Sequence, residues 1–475
     1  DLRAKESAPK LPTNEVLVRN DNQSNPKPEV KELQKQVNQW RTENGKDPIK
    51  EDGYFGKDTE TAVKEFQNAN GLKDDGKAGV QTQNRVVMEN NPNFKKLDNG
   101  IKDQTRKLMT EHGQDKTKVE NLRNLATNPG VAGLSKAQQQ QMLDIHKAHP
   151  GDKNLNTQLG TVANDPKFQA LNDAGKTATL NVLGSPGYTK LSEKDRALVN
   201  DGLNAGKFDP KLAENTQKLL NDPKFEALKP QEKTAVLSQV KNYPNERAVG
   251  NYQRMLQKDW FSSQSLEDKQ RSLKTVGYLS SHETGDKKVI DNTLNKLLDP
   301  ASDFKLEWKS LTGNIHGEAD HETKTLTLNK RFLAADNNKV VEDKKSQHMI
   351  LSTAPHEVNH VLNKDEVGNS YKYFEAEYRA WYVGFQARHG RVPTNEEAMK
   401  QRISWQLNEK SFYGPYAKEA MKDPAEAAKF YDLLTKMSGK KVDASNWDTV
   451  IKEDPSTWAK PGDPAPVPGG NIDNH

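Results

Sequence analysis

The 475-residue chain contains no cysteine, so no disulfide framework can hold it together. Aromatic residues make up only 7% and hydrophobic residues 32%, and no apolar run approaches the roughly 20 residues that a membrane-spanning helix needs. An excess of one charge is also lacking, because 71 Lys and Arg oppose 67 Asp and Glu without a concentrated basic stripe. We therefore expect neither a nucleic-acid partner nor a membrane span.

The length is sufficient for about three domains, and the patterning predicts a mainly α, multidomain protein. Residues 1–29 and 455–475 are rich in Pro, Asn, Gly and charge, which predicts a flexible N-terminal segment and a flexible tail. The absence of Cys suits the periplasm or the extracellular space, and a start at Asp1 rather than Met is compatible with a removed signal peptide. We expect a secreted protein that acts in one of these compartments.

Residues 30–95 carry a dense pattern of turn and helix signals. Two Asp-Gly pairs, at Asp52 and Asp75, predict tight turns in which Gly takes a positive φ. Thr59 precedes an apolar run with helical spacing and can cap that helix. These signals predict a compact three-helix module with two similar turn-helix halves, whose core is formed by Leu33, Val37, Phe55, Ala62, Val63, Phe66 and Leu72.

The same stretch reads D-G-x-F-G-x-x-T-x-x-A-V-x-x-F-Q-x-x-x-G-L-x-x-D-G-x-x-G-x-x-T from Asp52 onward. This pattern closely resembles the peptidoglycan-binding domain 1 family. The resemblance implies that the module binds bacterial peptidoglycan. We expect the loops after the two Asp-Gly turns to contact the glycan or peptide, through Asp52, Tyr54, Phe55 and Asp75.

Residues 115–300 contain a weak internal repeat. Asp165-Pro166-Lys167-Phe168 recurs as Asp222-Pro223-Lys224-Phe225, 57 residues later, and fainter copies start at Val131, Tyr188 and Phe261. Offsets of 20, 36 and 37 residues predict an α-helical repeat or spacer domain built from helix pairs. His146 and His149 read H-x-x-H in this region, but they lack an acidic or Cys partner at metal spacing, so we expect surface histidines.

The segment His356–His360 reads H-E-x-x-H. On a helix, the two histidines share one face and can reach one metal ion, and zinc accepts neutral imidazole nitrogen. Glu357 lies about 100° further round the axis, where it can act as a general base without ligating the metal. Pro355 directly before the motif predicts either a helix that begins there or a kink.

A catalytic zinc needs a third protein ligand. The segment from Tyr373 to Tyr382 predicts a second helix, and Glu377 or Glu375 on it can complete a two-His, one-Glu site. Glu366 is the alternative, because it stands six residues after His360, where extended H-E-x-x-H motifs place their third ligand.

H-E-x-x-H followed by the helical Glu-Tyr-Arg-Ala at 377–380 resembles gluzincin-type metallopeptidases of secreted bacterial effectors and toxins. The resemblance spans at most about residues 306–447. It implies a zincin-like α+β catalytic domain at 301–454, Zn²⁺ as cofactor, and Glu377 as the ligand ahead of Glu366 and Glu375, with Arg379 in a supporting role. It also suggests a cognate inhibitor or immunity protein.

Two further features are expected near such a site. The alternating residues 323–329 predict a half-buried strand with Leu326 and Leu328 in the core, either a plain sheet strand or an edge strand that binds an extended peptide. An oxyanion stabiliser is also required. The candidates downstream are Tyr413, Tyr416, His389 and Arg388.

The sequence therefore predicts a secreted zinc metallopeptidase that binds peptidoglycan and hydrolyses amide bonds in its peptide stems or cross-links, as an antibacterial effector. Two alternatives stay open: a zinc protease acting on host or competitor proteins, and a non-catalytic wall-binding scaffold or adhesin.

Overall fold

A computed structural model describes residues 11–469 except 23, 338, 366, 367, 369 and 409. Helices dominate, with 63% of residues helical and 4% in strands, which confirms the mainly α prediction. Contacts divide the chain into two compact units: residues 1–196 with 207–217, and residues 197–206 with 218–475. The division falls inside the predicted spacer, so the later spacer helices belong to the same unit as the H-E-x-x-H segment. No helix among the described residues is long and apolar enough to cross a membrane.

The described residues of unit 1 form helices and one isolated bridge, between Leu17 and Ala78. Its helices are α1 (Pro28–Glu43), α2 (Lys57–Ala69), α3 (Val80–Asn90), α4 (Pro92–Lys96), α5 (Asn99–His112), α6 (Lys116–Ala126), α7 (Pro129–Ala132), α8 (Lys136–Ala148), α9 (Lys153–Ala163), α10 (Pro166–Gln169), α11 (Asp173–Leu183) and α12 (Pro186–Thr189). The boundary between the units passes through α13 (Glu193–Ala205) and α14 (Pro210–Leu220).

The first three helices form the predicted module, and all seven predicted core residues are buried. Two glutamines hold its turns in the same way. Gln34 donates to Asp52 Oδ1 (3.0 Å) and accepts from Gly53 N (2.8 Å). Gln67 repeats this with Asp75 and Gly76, at 3.2 and 2.9 Å. The two turn-helix halves are therefore similar in hydrogen bonding as well as in sequence.

Residues 11–29 differ from the expected flexible segment. Leu11 and Leu17 are buried in the core of the module, and Thr13 N donates to Gln83 Oε1 at 2.7 Å. These two apolar side chains explain the difference, since their burial orders a segment that composition alone marks as polar. Residues 1–10 of the predicted segment lie outside the described residues.

The repeat is more regular than its sequence suggests. Each copy starts with a short helix carrying one or two buried apolar or aromatic residues, and copies start at 92, 129, 166, 186, 223 and 259. The starts are separated by 37, 37, 20, 37 and 36 residues, because a full copy has two longer helices after the short one and the copy at 166 has only one. The predicted α-helical array is present, and it begins at 92 rather than 115.

His146 in α8 is fully buried rather than on the surface, which corrects the expectation for the H-x-x-H pair. Its Nδ1 donates to Asn156 Oδ1 (2.8 Å), because the Asn156 amide nitrogen already donates to two backbone carbonyls. Its Nε2 therefore accepts from His112 Nε2 at 3.0 Å. Burial lowers the pKa of His146 to about 4. His149 ends the helix as its C-cap and is half-buried.

Unit 2 contains the remaining elements: α15 (Pro223–Glu226), α16 (Pro230–Asn242), α17 (Glu246–Leu256), α18 (Asp259–Ser262), α19 (Leu266–Ser281), α20 (Lys287–Leu298), β1 (Lys305–Lys309), β2 (Gly317–Asp320), β3 (Thr325–Asn329), α21 (Lys344–His348), α22 (Ala354–Asn363), α23 (Tyr371–His389), α24 (Asn395–Ala398), α25 (Ser404–Gln406), α26 (Gly414–Ala420), α27 (Pro424–Ser438) and α28 (Trp447–Val450), with 3₁₀ turns at Lys330–Phe332 and Pro455–Thr457.

The sheet has the strand order β1-β3-β2, with β1 parallel and β2 antiparallel to β3. β3 is the predicted strand, and Leu326 and Leu328 are fully buried as expected. It is the central strand, however, so it cannot accept an added peptide strand. β2, which the sequence did not indicate, is an edge strand packed on α22.

The helix that carries H-E-x-x-H starts well before Pro355. α21 continues through a π-helical turn at Met349–Thr353 into α22, so Pro355 follows the π turn instead of starting the helix. Gly384 of α23 packs against this turn, and a Cβ atom at Gly384 would lie 2.4 Å from the Ser352 carbonyl oxygen. The close approach of the two helices therefore requires glycine.

Residues 455–469 also differ from the predicted flexible tail. Trp458 and Ala465 are buried in the core that α23 shares with α24–α27. The carbonyl of Pro466 accepts from the Tyr378 hydroxyl at 3.0 Å, and the carbonyl of Gly469 accepts from Arg379 at 3.0 Å. Buried apolar residues and these two hydrogen bonds fix a segment whose Pro and Gly content resembles a linker.

Candidate metal centre

Two histidines and one glutamate converge in unit 2. His356 and His360 lie one turn apart on α22, with their Nε2 atoms separated by 3.1 Å. α23 brings Glu377 beside them, with Oε2 3.7 Å from His356 Nε2 and Oε1 3.5 Å from His360 Nε2. Two ligands about 2.0–2.1 Å from a tetrahedral zinc lie about 3.3–3.4 Å apart. The three separations therefore suit ligands of one ion.

Glu357 is the second carboxylate near this point. One ligand atom from each of His356, Glu357 and His360 fits within a 4.8 Å cluster. Glu357 Oε1 lies 4.0 Å from His356 Nε2, farther than the carboxylate of Glu377. We therefore assign Glu377 to the ligand position and leave Glu357 beside it, where a carboxylate can exchange protons with a bound reactant.

A network behind His360 fixes which ring nitrogen faces the centre. Asp365 Oδ2 accepts from His360 Nδ1 at 3.0 Å, and Arg379 donates to both oxygens of Asp365 at 2.5 and 2.6 Å. Arg379 also donates to Asn359 Oδ1 at 3.1 Å. Because the carboxylate can only accept, Nδ1 of His360 carries a hydrogen, and its Nε2 faces the other imidazole.

This geometry tests whether the residues fit a metal. The His356 ring makes a hydrogen bond to the backbone of Ala380, so both imidazoles are held from behind. The two Nε2 atoms, 3.1 Å apart, need one positive charge between them, and a metal ion can supply it in place of a proton on His360. A His₂Glu donor set with an outer carboxylate on one histidine is the type that catalytic zinc uses. The residues therefore fit Zn²⁺.

The electrostatics of the centre favour positive charge at His360. Burial alone would lower the pKa of His360, but the carboxylates of Glu377 and Asp365 outweigh it and raise the value to about 10. Burial lowers the pKa of His356 well below its usual value. For Glu377, burial would raise the pKa, but His360 and Arg402 outweigh it and the pKa is lowered.

Glu357 has the opposite character from Glu377. Burial raises the pKa of its carboxyl to about 7. A carboxyl group with a pKa near neutrality can both accept and release a proton under ordinary conditions. The two glutamates thus differ in their surroundings in the way that a base and a ligand should.

A cleft of about 750 Å³ opens onto these residues, lined on one side by Asn314–Ala319 and on another by α23. Tyr413 lines it and hydrogen-bonds to Glu377, and burial together with the negative charge of Glu377 raises the pKa of its phenol. Arg402 lies in a π-helical turn at Met399–Ile403 and forms an ion pair with Glu377. Its Nε has no hydrogen-bond partner among the described residues.

The other predicted site residues are placed elsewhere. Tyr416 packs against Tyr373 and is not part of the cleft lining. His389 and Arg388 line the cleft, but they lie 12 and 11 residues after Glu377, about 16–18 Å along the helix axis, too far to stabilise an oxyanion at the metal.

Glu375 is turned away from the metal centre, because its Oε1 accepts from Gly469 N at 3.0 Å. Glu366 lies outside the described residues. Asp365 and Arg402 were missed in the sequence, although a carboxylate shortly after the second histidine is a usable signal for an outer partner.

In the N-terminal module, the four predicted ligand contacts separate into three groups. Phe55 is 1% exposed and belongs to the core, so it has no surface to offer a ligand. Asp52 and Asp75 accept from Gln34 and Gln67 and shape the turns. Tyr54 is the exposed member at 38%.

A family model described as "Putative peptidoglycan binding domain" matches residues 26–86. This match supports the peptidoglycan-binding domain predicted from the sequence, and with it peptidoglycan as a partner. No curated protein and no solved structure matched the chain. The metallopeptidase resemblance has no support from these comparisons and stays a prediction.

Proposed function

We propose that the protein is a zinc-dependent metallopeptidase that binds bacterial peptidoglycan and hydrolyses amide bonds in its peptide stems or cross-links. The observation that carries the proposal is the convergence of His356, His360 and Glu377 at separations of 3.1, 3.5 and 3.7 Å. The match at residues 26–86 supports the choice of substrate.

His356, His360 and Glu377 would hold the ion. When bound, zinc supplies Lewis-acid chemistry that polarises the scissile carbonyl and makes water a nucleophile near neutral pH. The Glu357 carboxylate takes the proton from the attacking water and passes it to the leaving amine nitrogen. The phenol of Tyr413 donates a hydrogen bond to the oxygen that becomes negative, while Arg402 holds Glu377 in place.

The wall-binding module contributes without touching the reacting atoms. Because it is covalently joined to the catalytic residues, binding of peptidoglycan at residues 26–86 raises the effective concentration of substrate for them. In this proposal the protein is secreted, acts in the periplasm or extracellular space as an antibacterial effector, and is restrained in the producing cell by a cognate inhibitor.

A second candidate is a zinc protease acting on host or competitor proteins. It is favoured by β2, which lies at the edge of the sheet that the described residues form and contributes residues 317–319 to the cleft lining. An extended polypeptide can pair with an edge strand. Incubation with purified sacculi and, separately, with casein distinguishes the two candidates by the fragments released.

The proposal is tested with Glu357→Gln and a matched control, Glu375→Gln, which changes a carboxylate that faces away from the centre. We expect both variants to bind one zinc per chain, measured by elemental analysis. Glu357→Gln should lose wall hydrolysis by about 10²–10⁴-fold, measured by mass spectrometry of released muropeptides, while the control should retain it. Unchanged hydrolysis by Glu357→Gln, or a wild-type protein that binds no zinc, would refute the mechanism.

A further inference from the structure

The far end of the cleft contains a cationic group that the proposed catalytic steps do not use. Arg388 lines the cleft, and its Nη1 donates to His348 Nδ1 at 2.8 Å. Within the described part of the chain, no carboxylate forms an ion pair with it. Because His348 accepts at Nδ1, its neutral ring carries a hydrogen on Nε2 and is a further donor.

Arg388 gives this end of the cleft, here called the basic end, its positive charge, and two histidines with lowered pKa values accompany it. His348 stands beside His316, with ring centroids 5.4 Å apart, and both histidines line the cleft. Burial, together with the charge of Arg388, lowers the pKa of His348 to about 4. Burial lowers the pKa of His316 as well, assisted by the positive charges of Lys345 and Arg331.

Carboxylates in the cleft belong to its other end. Glu357, Glu377 and Asp365 form the metal centre, as described above. Glu318 on β2 acts electrostatically on Glu357 and on Lys309, and it forms no ion pair with Arg388. The basic end of the cleft is therefore not neutralised by the charges that the structure describes.

Helical geometry places this basic end on the path of a bound substrate. Eleven residues separate Glu377 from Arg388, and 11 steps of 100° return to within about 20° of the same face of α23. Trp381, Gly384 and Phe385 lie on this face between them, and all line the cleft. The rise along α23 from Glu377 to Arg388 is about 16 Å, a distance that about five residues of an extended peptide span. Because the arginine side chain reaches inward from the helix backbone, fewer peptide residues are needed.

We propose that Arg388, with His348, forms a subsite that binds a free carboxylate of the substrate peptide, two to five residues from the scissile bond. The inference rests on the proposed function and specifies its substrate as an acidic peptide. A planar guanidinium matches a carboxylate through two parallel hydrogen bonds. Peptidoglycan stem peptides carry such free carboxylates, and amidation removes both the charge and one acceptor from each.

The test measures binding separately from hydrolysis. Full-length Glu357→Gln protein is titrated calorimetrically with a synthetic stem tetrapeptide and with analogues amidated at one carboxylate at a time. We expect one amidation to weaken binding by about 10- to 100-fold, the range for a hydrogen bond to a charged group, and so to identify the recognised carboxylate. Adding Arg388→Gln should remove this discrimination, and Arg388→Lys should keep part of it.

Lys372→Gln is the matched control, because Lys372 is an exposed cation on the same helix outside the cleft lining; it should keep the full discrimination. Because the wall-binding module can also bind the peptide, only the part of the measured binding that depends on Arg388 is assigned to the subsite. Equal affinity for all peptides, equal losses of acid and amide binding in Arg388→Gln, or no binding of any peptide would overturn the subsite. Absence of hydrolysis by the wild type with discrimination intact would overturn the proposed function and leave the subsite standing.

Discussion

The outer partner of His360 offers the sharpest test of the metal centre. Asp365 accepts from His360 Nδ1 at 3.0 Å and orients the ring so that Nε2 faces the other ligands. In Asp365→Asn, the introduced amide has about the same size, but its charge is gone and its oxygen is a weaker acceptor for the imidazole. Loss of such a partner lowers metal affinity by about 10- to 100-fold, or about 1.4–2.8 kcal/mol.

The fold should tolerate this change. Arg379 keeps Asn359 Oδ1 at 3.1 Å and the Gly469 carbonyl at 3.0 Å, and the introduced amide oxygen can still accept from it. The buried guanidinium is therefore not left without partners, which is the case that costs most. The predicted effect is on zinc binding first and on the stability of the apo-protein second.

Zinc affinity is measured by competition with a fluorescent chelator, and stability by thermal unfolding with and without zinc. At a free zinc concentration about 100 times the wild-type Kd, bound metal stabilises the wild type by about 2.7 kcal/mol, and a 10- to 100-fold weaker variant by only about 1.4 to 0.4 kcal/mol. Glu375→Gln serves as the control and should behave as the wild type. A folded Asp365→Asn protein with unchanged zinc affinity would show that His360 is not held for a metal in this way.

Three further predictions follow from packing and charge. Gly384→Ala should destabilise unit 2 by about 1–3 kcal/mol in urea unfolding, because its Cβ would press on the Ser352 carbonyl, and a stability equal to wild type would contradict that contact. The unfolded state binds a proton at His146 near pH 6.5, whereas the native state binds it only near pH 4. The free energy of unfolding should therefore fall by up to about 3 kcal/mol as the pH drops through this range. Hydrogen exchange of α8 should show this pH dependence, and His146→Gln should flatten it. Tyr413→Phe should reduce kcat by about 10²–10³-fold at unchanged zinc content, and an unchanged kcat would remove the phenol from the mechanism.

The sequence predicts those parts of the candidate site whose residues lie close to one another along the chain. H-E-x-x-H predicts His356 and His360 on one helical face. The following helical pattern left Glu377 and Glu375 open, and the family resemblance favoured Glu377. Asp365 was not predictable in the same way. Its position depends on Lys364, which ends α22 in a left-handed conformation (φ 51°) and turns the chain back so that Asp365 N bonds to the His360 carbonyl. Helical periodicity ends before that turn and carries no information about it.

The fold follows the same rule: features set by neighbouring residues were predictable from the sequence, and features set by long-range contacts were not. The Asp-Pro repeats at 165 and 222 marked a helical array, because capping residues and a proline at the first helical turn are local signals. The copy at 92 escaped notice, since it shares the Pro and one buried Phe with the others but little more. The pairing of β3 between two strands depends on contacts across the sheet, which alternation along one segment does not reveal.

The contact between Gly469 and Arg379 connects the end of the described part of unit 2 with the candidate metal centre. Gly469, Arg379, Asp365 and His360 form an unbroken chain of hydrogen bonds from residue 469 to Nδ1 of His360, on the ring whose Nε2 faces the candidate metal centre. An expression truncation placed after Pro466 would remove the first link and leave the guanidinium with one fewer acceptor. If such a shortened protein loses zinc, the cause would be that Arg379 no longer holds Asp365 in place. Fusion tags are therefore better attached at the opposite terminus.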